Sequence, residues 1–298
     1  MGITIVISED REGEAALQSL RDGLLARLAR WPDAEVKIVP YLYDLDPDGP
    51  GMNGMRSAGG DMVVLAPLYP RTIYWLLHAN EVRGRLGPSE LMHADEADAS
   101  SEDSGRDAPG RTIWCLDLRG QGAEPLSAEL ERIVTESIGD PPARLPPDGQ
   151  SAPADVVRIE EIASPRWYPI VDFGRCRNCL ECLNFCLFGV FGIDAEDRLF
   201  VEQADACRDG CPACARVCPA QAIMFPKHSN PGIAGDPKAT AADMNVSLVQ
   251  LLGQASSGGL AAVERDRALA EKTKSESHSS RKMDDLDALV NDLDEMNL

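Results

Sequence analysis

Eight of the nine cysteines in this 298-residue chain fall between Cys176 and Cys218. They form two runs. The first is Cys176, Cys179, Cys182 and Cys186, spaced C-x2-C-x2-C-x3-C. The second is Cys207, Cys211, Cys214 and Cys218, spaced C-x3-C-x2-C-x3-C and followed by Pro219. Gaps this short let consecutive thiolates wrap one inorganic core corner by corner. Soft thiolates select iron–sulfur, zinc or copper(I) over magnesium and calcium. Zinc is the chief competitor, because four-cysteine zinc sites also use paired C-x2-C spacing. A compact three-cysteine run written twice favours a cluster. Disulfides rank below both in a reducing cytoplasm, which is the expected location. Met1 to Ile7 is apolar but short; with no basic leader, it reads as a first strand and not as a secretory signal. No apolar run approaches the length that crosses a bilayer.

Residues 165–226 resemble the bacterial-type two-cluster, 2[4Fe–4S] ferredoxin domain, and the two cysteine runs with the terminal Cys218-Pro219 carry the resemblance. In that family the fourth cysteine of each run serves the other cluster. The resemblance therefore implies one cluster on Cys176, Cys179, Cys182 and Cys218. It implies a second on Cys207, Cys211, Cys214 and Cys186. Two departures stand out: Leu187 replaces the proline after the first run, and the second run opens with three intervening residues where two are usual. The first bears on a local turn, the second on the potential of one cluster. All six phenylalanines of the chain also lie in this stretch. A module this small builds no full core from side chains alone, so clusters and packed rings complete it. Its α+β pattern predicts strands at 170–173 and 222–225, with a hairpin of 190–194 and 198–202 between them.

The elements before the cysteines alternate β-rich and helical patterns, which predicts an α/β domain over residues 1–138 with a mostly parallel, flavodoxin-like or Rossmann-like sheet. Strands are expected at 3–7, 36–39, 62–66 and 112–118. Helices are expected at 14–30, 72–85 and 127–138, the last with Ser127 as N-cap. Residues 46–60 and 93–110 read as loops. Residues 139–164 read as a Pro-rich linker, and 227–298 as a partly helical, partly disordered tail. The tail ends in an acidic amphipathic helix over 283–298, suited to a partner groove.

No dinucleotide or P-loop glycine motif is present in this first domain. Ser8-Glu9-Asp10 and Pro67 to Arg71 each follow a strand, where open α/β sheets place their ligand crevice. The favoured reading is that Tyr69 packs and Arg71 opens a helix; the alternative is that Arg71 holds a carboxylate or phosphate with Tyr69 stacking nearby. His78 reads as a core or surface histidine, and Cys115 as a small buried hydrophobe.

Acidic residues number 49 against 29 basic ones, a formal charge of −20. Nucleic acid and anionic membranes are poor partners for such a chain, and redox proteins with basic docking faces are better ones. Two four-thiolate clusters add about −4. The expected role is electron carriage between cytoplasmic redox partners, with no catalytic residues. The alternatives are a redox enzyme whose first domain binds a small molecule, and an interaction protein with structural clusters.

Overall fold

The computed structural model describes residues 2–91, 110–120, 122–140, 156–239, 259, 261–267 and 269–270. The chain opens in the middle of a sheet. β1 (Ile3–Ser8) is buried at every position, as a strand covered on both faces must be. It pairs on one side with β2 (Ala34–Val39) and on the other with β3 (Asp61–Ala66). β5 (Thr112–Asp117) lies beyond β3, and the short strands β4 (Arg85–Leu86) and β6 (Val156–Arg158) close the edges in the order β4-β5-β3-β1-β2-β6. Every pairing in this sheet is parallel.

Crossover helices cover both faces. The chain steps from β1 to β2 through α1 (Ala15–Leu28), then reverses across β1 to β3 through α2 (Pro50–Ser57). Right-handed crossovers in opposite directions land on opposite faces. Accordingly Leu24 and Leu28 of α1 pack with Ile3, Ile5, Ile7 and with Leu130 of α4 (Ala123–Ile138). Met52 and Met55 of α2 pack on the other face with Val6, Val64 and α3 (Pro70–Ala79).

Four local expectations change. The Gly- and Pro-rich stretch 46–60 contains α2, which Pro50 opens at its first position. Its remaining support is distant: the Glu161 carboxylate accepts from Asp46 N at 2.7 Å and Gly51 N at 2.9 Å. α3 ends at Ala79, and β4 occupies the end of the expected helix. Ser127 is not the N-cap of α4; it sits inside the helix and its hydroxyl donates to Ala123 O at 2.7 Å. Within the stretch read as linker, residues 156–158 are β6 and pair with β2. Residues 93–109, 141–153 and 283–298 lie outside the described residues.

The cysteine-rich module has two small antiparallel sheets. β7 (Ile170–Val171) pairs with β10 (Ile223–Met224), and β8 (Phe191–Ile193) pairs with β9 (Leu199–Val201). Between them stand two five-residue helices, α5 (Glu181–Phe185) and α6 (Ala213–Val217). The module shares a core with the sheet, since Tyr168, Ile170 and Met224 pack among the side chains of α2 and α3. Tyr168 stacks on Tyr43 at 4.4 Å, receives its hydroxyl donation at the carbonyl, and donates N–H back to that hydroxyl at 2.7 Å. Thr72 Oγ1 donates to Ala234 O at 2.9 Å beside Gly235. Gly235 has φ +108°, and a Cβ there would lie 2.0 Å from Thr72 Oγ1, so only glycine fits.

Candidate metal centre

Asp172 builds the entrance to the first cysteine loop. Its N–H donates to Ala222 O at 2.8 Å, its carbonyl accepts from Cys176 N at 2.9 Å, and its carboxylate accepts from Arg175 N at 3.0 Å. This turn sets Cys176 opposite Cys218, whose Sγ accepts from Ala222 N at 3.3 Å. Two left-handed residues then flank Cys179: Asn178 at φ +52° and Leu180 at φ +60°. For leucine that conformation costs on the order of 1–2 kcal/mol. It folds the loop tightly enough that α5 starts two residues after Cys179. Asn178 fastens the loop to the β8–β9 hairpin, donating to Asp197 O at 2.7 Å and accepting from Leu199 N at 2.9 Å.

Two pockets result, each with about 320 Å³ of empty space, part of it open to solvent. Cys176, Cys179, Cys182 and Cys218 line the first, with Leu180 and Ile223. Cys186, Cys207, Cys211 and Cys214 line the second, with Phe185, Phe188 and Val190. Each cavity draws three cysteines from one run and the fourth from the other. Among the described residues no three His, Cys, Asp or Glu side chains are grouped to hold a single metal ion. The thiols stand around the walls of a larger, mostly apolar space. Four soft donors arranged this way fit a cluster that offers a metal atom at each corner.

Burial dominates the thiol chemistry. It pushes Cys182 up to about 12, and raises Cys176 and Cys211 above the ordinary thiol value. It raises Cys207 and Cys214 further, with neighbouring cysteines adding to the effect. Without metal these five thiols stay protonated at neutral pH, so a ligand that takes them as thiolates must displace protons.

The second cavity has outer walls that spacing alone does not reveal. Trp167 stacks on Phe225 at 5.1 Å and donates its indole N–H to Cys211 O at 3.2 Å. His228 lies beside that pair, and burial, helped by Arg216, lowers its pKa to about 4. A late helical segment, residues 261–267, covers the cavity. Ala261 is fully buried with Cys211 and Ala213. Arg265 lines the cavity with its guanidinium 4.8 Å from the Phe185 ring. Glu264 pairs with Arg216 at 2.5 Å. The helical pattern of this segment is readable in sequence, but its place against the cysteines is not.

The other singled-out residues have separate fates. Arg71 opens α3 and does hold a carboxylate, but one from this chain. Its Nε donates to Asp172 Oδ2 at 2.5 Å and its Nη2 to Gln221 O at 2.7 Å. Tyr69 packs under the Arg119 guanidinium at 4.5 Å, and burial raises its phenol pKa. Ser8, Glu9 and Asp10 line a pocket with about 720 Å³ of empty space, part of it open to solvent, at the carboxyl end of β1, where Arg21 pairs with Glu9 at 2.9 Å. Cys115 is buried in β5. His78, near the end of α3, accepts from Arg83.

No family model and no solved structure matches the chain. Among curated proteins it is similar to an uncharacterized ferredoxin of Methanocaldococcus jannaschii, with 40% identity over 67 residues. The match covers 22% of this chain and 44% of that protein, so the chain spans less than half of the relative's length. Part of this chain is thus ferredoxin-like in sequence.

Proposed function

We propose that this protein carries electrons on two [4Fe–4S] clusters, one bound by Cys176, Cys179, Cys182 and Cys218 and the other by Cys186, Cys207, Cys211 and Cys214. One observation carries the reading: each cavity is lined by three cysteines of one run and the last cysteine of the other. Zinc modules that interleave two sites exchange whole pairs of ligands, whereas each cavity here takes three cysteines from one run and one from the other. The similarity to a ferredoxin supports the same chemistry.

When bound, each cluster supplies a one-electron redox couple. The chain's own work is to hold the thiolates, exclude water and set the charge around them. Phe185, Phe188 and Val190 keep the second cavity apolar, which tunes the potential and protects a cluster from solvent. The excess of acidic residues favours redox partners with basic docking faces.

The test is metal analysis and electron paramagnetic resonance on anaerobically purified, dithionite-reduced protein. The reading expects about eight irons per chain and a signal from two interacting clusters. Cys176→Ser and Cys218→Ser are expected to perturb the same cluster, and Cys186→Ser the other. Stoichiometric zinc without iron sinks the proposal. Loss of one common cluster in Cys176→Ser and Cys186→Ser would overturn the crossed ligand sets.

A further inference from the structure

A cleft runs between α3 and the β8–β9 hairpin, with about 1970 Å³ of empty space, part of it continuous with solvent. Its walls include four aromatic rings, those of Tyr74, Tyr168, Phe173 and Phe200. Phe173 is fixed edge-on against Trp75 at 5.8 Å. Phe200, by contrast, is 36% exposed. Three arginines stand among the lining residues. Arg198 is paired with Asp194 and Arg166 with Asp205, each at 2.9 Å. Arg83 differs. Its Nη1 donates to His78 Nε2 at 2.5 Å, and among the described residues it has no ion pair with a carboxylate. Arginine offers no acceptor, so His78 Nε2 is the acceptor of that bond. Arg83 therefore brings a positive charge to the cleft wall that no ion pair among the described residues neutralises, with Glu81 lining the same wall.

Two side chains join this cleft to the cysteine cavities. Leu199 lines both the cleft and the first cavity, and Pro169 lines both the cleft and the second. An occupant of the cleft is therefore one side chain away from each cysteine set. That position suits a carrier that arrives with two electrons and gives them up singly, because each cluster accepts one. A nicotinamide delivers its pair together as hydride and does not divide it. A flavin divides it, and its flat ring suits aromatic walls. A phosphate on that flavin suits Arg83, which binds phosphate with a planar fork of donors.

We propose that the cleft binds a phosphate-bearing flavin, which exchanges electrons with both clusters. The aromatic walls and Arg83 belong to the cleft alone, whereas the choice of a flavin over a nicotinamide and the electron step rest on the two-cluster reading. In that step the reduced flavin loses two electrons and two protons. One electron goes to each cluster, lowering each core charge from +2 to +1, and the protons go to water.

The experiment is a titration of anaerobic, metal-loaded full-length protein with flavin mononucleotide, followed by quenching of flavin fluorescence. One flavin per chain is expected. Phe200→Ala and Arg83→Gln are each expected to weaken binding about tenfold, the scale of one stacking ring or one charged contact, with iron content unchanged. Riboflavin, which lacks the phosphate, is expected to bind about tenfold more weakly than the mononucleotide and to be indifferent to Arg83→Gln. No binding tighter than about 1 mM overturns the proposal, as does binding that neither variant weakens. Flavin binding with both variant effects in a protein that holds zinc keeps the site and removes the electron step. Eight irons without flavin binding leaves the carrier reading standing and removes the cleft proposal alone.

Discussion

Asp172 is fully buried, and among the described residues its charge balance comes from Arg71, itself 5% exposed, and from the more distant Arg175 at 3.8 Å. Arg71 belongs to α3, whereas Asp172 and Gln221 precede Cys176 and follow Cys218. One guanidinium thus clamps both sides of the first cavity from the neighbouring sheet. Removing it leaves a buried carboxylate unbalanced, which costs about 3–5 kcal/mol. Arg71→Met is expected to lower stability by that amount in urea unfolding monitored on the holoprotein, and Arg71→Met with Asp172→Leu is expected to recover most of the loss. Equal stability of Arg71→Met and the parent protein would contradict the clamp. That Arg71 opens a helix, where it can also reach a carboxylate, was readable from its place after a strand. Which carboxylate was not, because the partner lies 101 positions away.

At the scale of elements, legibility follows the range of the forces. The β7 and β10 strands and the β8–β9 hairpin follow from alternation and from the turn at residues 195–197, both local signals. α2 was hidden because its sequence is poor in helix formers and its first turn relies on Glu161. The segment 261–267 was legible as a helix, yet nothing local shows that it closes the second cavity. Ala261→Asp tests that closure. The variant buries a carboxylate with no partner, a cost above the roughly 1–3 kcal/mol of an unsatisfied neutral group, so the helix is expected to detach. On the proposed two-cluster reading, iron release to a strong chelator is then expected to become biphasic, with about half the iron leaving several-fold faster. Uniform release at the parent rate would show that the helix shields nothing.

The whole molecule is less divisible than its sequence suggests. The Pro-rich stretch marks a composition boundary, but both β6 and the Tyr43–Tyr168 stack cross it. A fragment ending at residue 140 lacks β6, Glu161 and Tyr168 together. Its β2 edge keeps unpaired backbone groups, and its core loses the cover of Tyr168, Ile170 and Met224, so it is expected to self-associate at micromolar concentration in light scattering. A stable monomer would refute this account. The same wiring has a consequence in time. On a ribosome adding about 5–20 residues per second, β1 to β5 emerge first. Met224, which completes their core, follows β6 by several seconds at that rate. During that interval β6 can already close the β2 edge, but the face that Met224 completes is still bare while the cysteines are arriving, so a cell making this chain must shelter that face and, on the two-cluster reading, supply metal within the same short window.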